Sequence, residues 1–169
     1  KSGRDILQSK PILNILRELS DEENFCMWQN MLFDKSTGTV DHLDTWYLDT
    51  DPMGKLIAAW VALEDIDDKG GSFHIYPGSH LENSKNWIDT DHEEYVIWCN
   101  KLTNKYERKK ALLKKGDVLF WHPNLLHGAT LQNEKGKSRK SLTCHYFPTN
   151  YLKGGGGKNS IYDSDDYKI

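Results

Sequence analysis

The sequence predicts a mainly β protein of two packed sheets, a jelly roll or related barrel with helices outside it. Three observations carry this. Several runs of four to nine residues are apolar throughout or alternate apolar with polar. Turns rich in Gly and Pro separate them. Only two segments show helical spacing. At 169 residues the chain has the length of about one domain. A domain of that size buries roughly two-thirds of its unfolded surface, so it folds without a disulfide or metal as a staple.

The first element is a helix. Ser9 caps it, Pro11 fits its first turn, and Ile12, Leu13, Ile15, Leu16 and Leu19 form one apolar stripe. Phe25 to Phe33 is an aromatic-rich strand, and Lys35 to Thr39 a turn in which Gly38 supplies backbone freedom. Leu56 to Leu63 is continuously apolar and has the length of a buried strand. Gly70 and Gly71 open a strand over Ser72 to Tyr76, which stops at Pro77-Gly78. Residues 91 to about 108 read as a helix, started by Asp91 with Glu94 and carrying Tyr95, Cys99, Leu102 and Tyr106 on one face. Lys114 to Asp117 is a turn, Val118 to Trp121 a short strand, and Asn133 to Lys137 a polar turn. Lys140 to Phe147 alternates, with Leu142, Cys144 and Tyr146 facing one way and Ser141, Thr143 and His145 the other. Residues 1–150 are expected to form a single domain. Residues 151–169, with four consecutive glycines followed by acidic sequence, read as a flexible tail.

Composition excludes several classes. Lys and Arg number 22 against 25 Asp and Glu, for a formal charge of -3. That balance is wrong for an electrostatic nucleic-acid binder. No apolar run is long enough to span a membrane. Cys26, Cys99 and Cys144 are odd in number and far apart, with no CxxC pair. They read as reduced thiols in a cytoplasmic setting.

The most informative residues are Asp41-His42-Leu43-Asp44. On a strand, positions i and i+2 point to the same side, so His42 and Asp44 reach one metal ion from a single strand end. A third ligand must come from a distant strand, and His127 is the best candidate. Two His and one carboxylate on one face of an octahedral ion form the ligand set of non-haem Fe(II) oxygenases, with three positions left open. Two hold a chelating co-substrate and one holds O₂. Arg139 follows at the start of the last strand. Its planar fork suits a carboxylate, which fits 2-oxoglutarate chelating iron at one end and meeting Arg139 at the other.

Taken together, His42-x-Asp44, Gly71-Ser72-Phe73-His74-Ile75-Tyr76-Pro77-Gly78-Ser79-His80, Gly116-Asp117-Val118, His127-Gly128 and Arg139 resemble the phytanoyl-CoA dioxygenase family of Fe(II)/2-oxoglutarate oxygenases. The Pro-Gly-Ser-His segment is the most family-specific piece. The resemblance covers about residues 25 to 148. It implies a double-stranded β-helix (jelly roll, cupin-like) with flanking helices, Fe(II) at His42, Asp44 and His127, and 2-oxoglutarate on Arg139. Gln29 lies where the resemblance extends a co-substrate contact. Part of the family's N-terminal region is expected to be missing, since the chain begins at Lys1 and the family has further elements before the position of Ile12.

The resemblance implies a dioxygenase that hydroxylates a small organic molecule while 2-oxoglutarate is converted to succinate and CO₂. Desaturation and ring closure are alternative outcomes on the same iron. Asp44 argues against halogenation, which needs a small residue at that position. A non-catalytic jelly-roll binding protein is the rival from another class. Trp46 and Tyr47 either pack at the core or rim, or form a substrate wall beside the iron. His122 and His127 are five residues apart and face opposite sides of a regular strand. Only one is a ligand, and His127-Gly128 stands at the family distance before Arg139. Of the remaining histidines, His80 reads as ending a strand turn and His122 as stacking or hydrogen-bonding near the barrel mouth, while His74, His92 and His145 are assigned no role. The Glu107 to Lys110 run reads as a solvated helix end, and Asp65, Asp67 and Asp68 as plain surface charge.

Overall fold

The computed structural model describes residues 2–82 and 90–151. Residues 152–169, which hold the expected tail, lie outside the described residues. The chain runs through α1 (Gly3–Leu7), α2 (Lys10–Ser20), β1 (Phe25–Phe33), β2 (Thr37–His42), β3 (Ile57–Ala62), β4 (Phe73–Ile75), α3 (His92–Lys105), β5 (Lys109–Ala111), β6 (Val118–Trp121), β7 (His127–Leu131) and β8 (Ser141–Pro148). The strands form two four-stranded sheets, ordered β1-β8-β3-β6 and β2-β7-β4-β5. Every pairing is antiparallel. This is the jelly-roll arrangement expected from the sequence.

Each layer buries one apolar face. Leu7, Ile12 and Leu16 from α1 and α2 pack on Phe25, Met27, Ile57, Ala59, Val61, Leu142 and Tyr146, covering the outer face of the first sheet. Tyr146 fixes this contact by donating its hydroxyl to the Leu7 carbonyl at 2.8 Å. Between the sheets lie Ala58, Trp60, Phe73, Trp121 and Phe147. Beyond the second sheet, α3 packs Tyr95, Cys99 and Leu102 against Leu43, Tyr76 and Leu126. The alternation read in Lys140 to Phe147 is realised in β8: Leu142, Cys144 and Tyr146 enter the first cluster, while Thr143 and His145 point between the sheets.

The structure departs from the sequence reading in four places. Helix α1 was not anticipated; Ser2 and Asp5 close a capping box around one and a half turns too short to show periodicity. In α2 the buried residues are Ile12 and Leu16, while Leu19 is 58% exposed. The turn expected over Lys35 to Thr39 is shorter, because β2 already begins at Thr37 and takes Gly38 inside it at φ +79°. The basic run is not a helix end: α3 stops at Lys105, and Lys109–Ala111 pair with β4 as an edge strand. A three-residue edge strand with exposed lysines carries no apolar alternation to detect, and charge there guards a sheet edge. The acidic loop is surface charge with partners, since Asp65, Asp67 and Asp68 pair with Lys114, Lys137 and Lys110. No described helix is long and apolar enough to cross a membrane.

Candidate active site

His42 ends β2, and the chain turns at once into a 3-10 turn over Asp44–Trp46. The pair is therefore not i and i+2 on one strand, as the sequence reading had it. The strand end and the turn bring the two side chains together. His127 opens β7 and pairs directly with His42 across the antiparallel ladder. Two distant segments thus deliver one cluster: a donor atom from each of His42, Asp44 and His127 lies within 4.8 Å of the others.

The details suit a divalent metal ion. Asp44 Oδ1 lies 3.7 Å from His42 Nε2 and 3.6 Å from His127 Nε2. The far nitrogens are engaged, His42 Nδ1 with the Val40 carbonyl at 2.8 Å and His127 Nδ1 with the Leu125 carbonyl at 2.9 Å. A carbonyl only accepts, so each Nδ1 carries the proton and each Nε2 keeps a free lone pair toward the centre. Asp44 Oδ2 accepts a hydrogen bond from Trp121 Nε1 at 2.8 Å, which leaves Oδ1 for the ion. Burial opposes ionisation of Asp44, but its charge interactions with His127, His145 and His42 outweigh this and hold the carboxyl well below the usual range. Burial lowers the His127 pKa to about 4, against the pull of Asp44. At neutral pH the cluster is a carboxylate with a neutral imidazole, the ligand form of both groups.

The cluster opens on a cavity of about 440 Å³ between the sheets. Trp60, Phe73 and Trp121 wall its interior, and Met31, Val40, Tyr47 and Leu48 also line it. Arg139 enters the same cavity and is only 4% exposed. Its guanidinium lies over Phe33 and Trp60, 5.8 and 5.5 Å from the ring centroids. Its one hydrogen bond given by the structure is a long 3.4 Å contact to the Gly71 carbonyl, and Nε has no partner among the described residues. Burial alone pushes its pKa down to about 10, so it remains a cation at neutral pH. A buried cation with no carboxylate beside it among the described residues is set to receive an anion.

The structure brings His42, Asp44, His127, Arg139, Gln29 and Tyr47 to one cavity. Trp46 is not part of its lining; it stacks on Tyr95 at 4.3 Å, toward α3. His122 also lies elsewhere, 5.8 Å from His80 ring to ring. Sequence reasoning missed three residues. Trp121 holds the ligand carboxylate. Tyr95, from α3, uses its hydroxyl to accept from the Leu43 N–H at 2.8 Å and donate to the Leu43 carbonyl at 3.3 Å, pinning the residue between two of the metal donors. His145 lies 3.3 Å from Asp44 Oδ2 and lines the cavity. Only His145 had a sequence signal: the β8 alternation already set it on the face of Thr143.

The phytanoyl-CoA dioxygenase (PhyH) family model matches residues 3–141. Human peroxisomal phytanoyl-CoA dioxygenase is 32% identical over 112 residues, 62% of this chain and 32% of that protein. The chain therefore spans about a third of the length of that relative. Among solved structures, the α-ketoglutarate-dependent carbocyclase SnoK from nogalamycin biosynthesis aligns with a TM-score of 0.69 at 20% identity, over 85% of this chain and 58% of SnoK. EctD from S. alaskensis, solved with 2-oxoglutarate and 5-hydroxyectoine, gives 0.69 at 20% identity, over 88% and 52%. Two structures at such low identity establish the shared jelly-roll fold. With a family model spanning most of the described residues, the chain belongs to the phytanoyl-CoA dioxygenase family.

Proposed function

We propose that the chain is an Fe(II)- and 2-oxoglutarate-dependent oxygenase that hydroxylates a small organic molecule. One observation carries the reading: a buried arginine without a counter-ion among the described residues opens on the same cavity as a two-histidine, one-carboxylate cluster. His42, Asp44 and His127 hold the iron. Arg139 takes the distal carboxylate of 2-oxoglutarate, and the Gln29 side chain stands near that co-substrate. Tyr47, at the cavity wall, meets the substrate. Iron bound there supplies O₂ activation coupled to conversion of 2-oxoglutarate to succinate and CO₂. The aromatic walls exclude water, which protects the reaction from side products. Residues 1–150 make up this one catalytic domain. The three buried free thiols fit a reducing compartment such as the cytoplasm.

Asp44 fills the third protein position, which argues against halogenation. Ring closure and desaturation use the same ligands and differ in product mass: hydroxylation adds one oxygen, while the other two remove two hydrogens. The test is turnover with Fe(II), O₂ and 2-oxoglutarate over a substrate panel, reading succinate and product mass. A product with one added oxygen, formed with succinate, supports the proposal. A chain that binds 2-oxoglutarate but forms no succinate under any condition is a binding protein instead.

A further inference from the structure

We propose that Ser79 is a positioning residue for the metal centre: its hydroxyl holds the Leu125–Leu126 peptide, and the carbonyl of that peptide holds the imidazole of His127. This rests on the reading of His42, Asp44 and His127 as metal ligands.

The Pro77-Gly78-Ser79-His80 segment supplies no donor to the three-residue cluster, and Ser79 stands outside the cavity lining. Its place in the fold gives it another task. β4 runs beside β7 and ends with Ile75 paired to His127. One residue on, the Tyr76 N–H donates to the Leu126 carbonyl at 3.0 Å. The chain then folds back. Gly78 takes φ +93°, a conformation that a side chain would strain. Ser79 follows in a 3-10 turn, its N–H donating to the Tyr76 carbonyl at 3.1 Å. The bend leaves Ser79 fully buried, and its Oγ accepts from the Leu126 N–H at 2.9 Å. One turn thus holds both backbone groups of Leu126, the residue before His127.

The link from Leu126 to the metal centre runs through a single peptide plane. The Leu126 N–H and the Leu125 carbonyl belong to the same trans peptide, so they are coplanar and point in opposite directions. Ser79 Oγ fixes one end. The other end accepts from His127 Nδ1 at 2.9 Å, the bond that keeps the Nε2 lone pair for the ion. Tilting the plane carries the carbonyl off the imidazole. Leu126 is 0% exposed, so an N–H deprived of Ser79 has no solvent to turn to and must seek another acceptor. The serine therefore acts on the ligand through two hydrogen bonds and one rigid plane, without touching the ion.

The experiment measures metal binding, not turnover. Each variant is titrated with Mn(II) by calorimetry, its visible spectrum is recorded with Co(II), and its melting temperature is measured without metal. Ser79→Ala is expected to weaken Mn(II) about tenfold, the low end for losing a bond that supports a ligand, and to shift the Co(II) bands, which report the direction of the imidazole. Ser79→Thr keeps the hydroxyl and should bind Mn(II) more tightly than Ser79→Ala. Ile12→Val, in α2 on the outer face of the first sheet, should lower the melting temperature and leave Mn(II) affinity and the Co(II) spectrum unchanged. Unaltered affinity and spectrum in Ser79→Ala overturn the proposal. So does an equal loss of Mn(II) affinity in Ile12→Val, which would tie affinity to overall stability, or binding by Ser79→Thr no tighter than by Ser79→Ala. If the unsubstituted chain binds no Mn(II), the reading of the three ligands fails and this proposal with it.

Discussion

The indole Nε1 of Trp121 donates to Oδ2 of Asp44 at 2.8 Å, and this bond decides which carboxylate oxygen faces His42 and His127. With Oδ2 held, the carboxylate presents a single oxygen. Trp121→Phe keeps the ring and removes the donor. Loss of such a supporting bond typically weakens metal binding about 10–100-fold. Calorimetric titration with Mn(II) measures it. Unaltered affinity would mean that Asp44 is oriented by packing alone.

Tyr95→Phe tests the same centre from the opposite side. It deletes the hydroxyl that holds both the N–H and the carbonyl of Leu43. Leaving that buried N–H unpaired costs about 1–3 kcal/mol. The expected outcome is a lower melting temperature and weaker Mn(II) binding, since Leu43 separates two of the donors. A loss of stability with full metal affinity would limit Tyr95 to packing.

Gly128 follows His127 for a steric reason. A Cβ there would sit 2.5 Å from Asp41 Oδ1, 2.9 Å from the Thr39 carbonyl and 3.0 Å from His74 Nε2. Asp41 is tied down, with Oδ1 2.5 Å from His74 Nε2 and Oδ2 accepting from the Tyr76 hydroxyl at 2.8 Å. The backbone carbonyl of β2 has no room to give. Gly128→Ala should destabilise the fold by about 1–3 kcal/mol, as overpacking does, and push β7 away from β2. Thermal unfolding measures the first effect and Mn(II) affinity the second. A variant with unchanged values would show that the strands separate freely.

Arg139→Met should stabilise the ligand-free protein. The guanidinium is a buried charge without a counter-ion among the described residues, and burial pulls its pKa down to about 10. A base whose pKa falls on folding destabilises the fold wherever it is charged, which includes neutral pH. Replacing buried charge with an apolar chain of similar size typically gains about 1–4 kcal/mol. The unsubstituted protein should in turn gain about 2.7 kcal/mol at 2-oxoglutarate one hundred times its Kd, and the variant should gain nothing. Melting curves with and without 2-oxoglutarate, in Mn(II), test both statements. An Arg139→Met protein that melts lower in both conditions would contradict the account of an unpaired charge.

The three thiols should be silent in the native protein. Cys26, Cys99 and Cys144 are buried. Burial raises the Cys99 thiol to about 11 and Cys144 to about 12, so both stay protonated at pH 8. A thiol reagent at that pH should find none in the folded chain and three in denaturant. Fast labelling of Cys99 in the native state would show that α3 opens readily from the second sheet.

The sequence by itself determined the local features. Continuous apolar character marked β3, alternation marked the two faces of β8, and Asp91 with Glu94 marked the start of α3, because these are patterns of neighbouring residues. The cluster of His42, Asp44 and His127, and the buried Arg139 on the same cavity, were legible as candidates because metal and carboxylate chemistry restricts the residue types that serve. Tertiary structure decided the rest. Only the pairing of β2 with β7 sets His127 beside His42, across 85 residues of chain. Only the sheet-on-sheet packing brings Trp121 to Asp44, and only the packing of α3 brings Tyr95 to Leu43. Trp46 and Tyr47 are adjacent in sequence, yet the 3-10 turn sends one toward α3 and the other to the cavity. Hydrogen bonds and packing between distant segments leave no periodicity in the chain. They arise from the closure of two sheets around a shared interior, and that closure turns a set of suitable residues into a site.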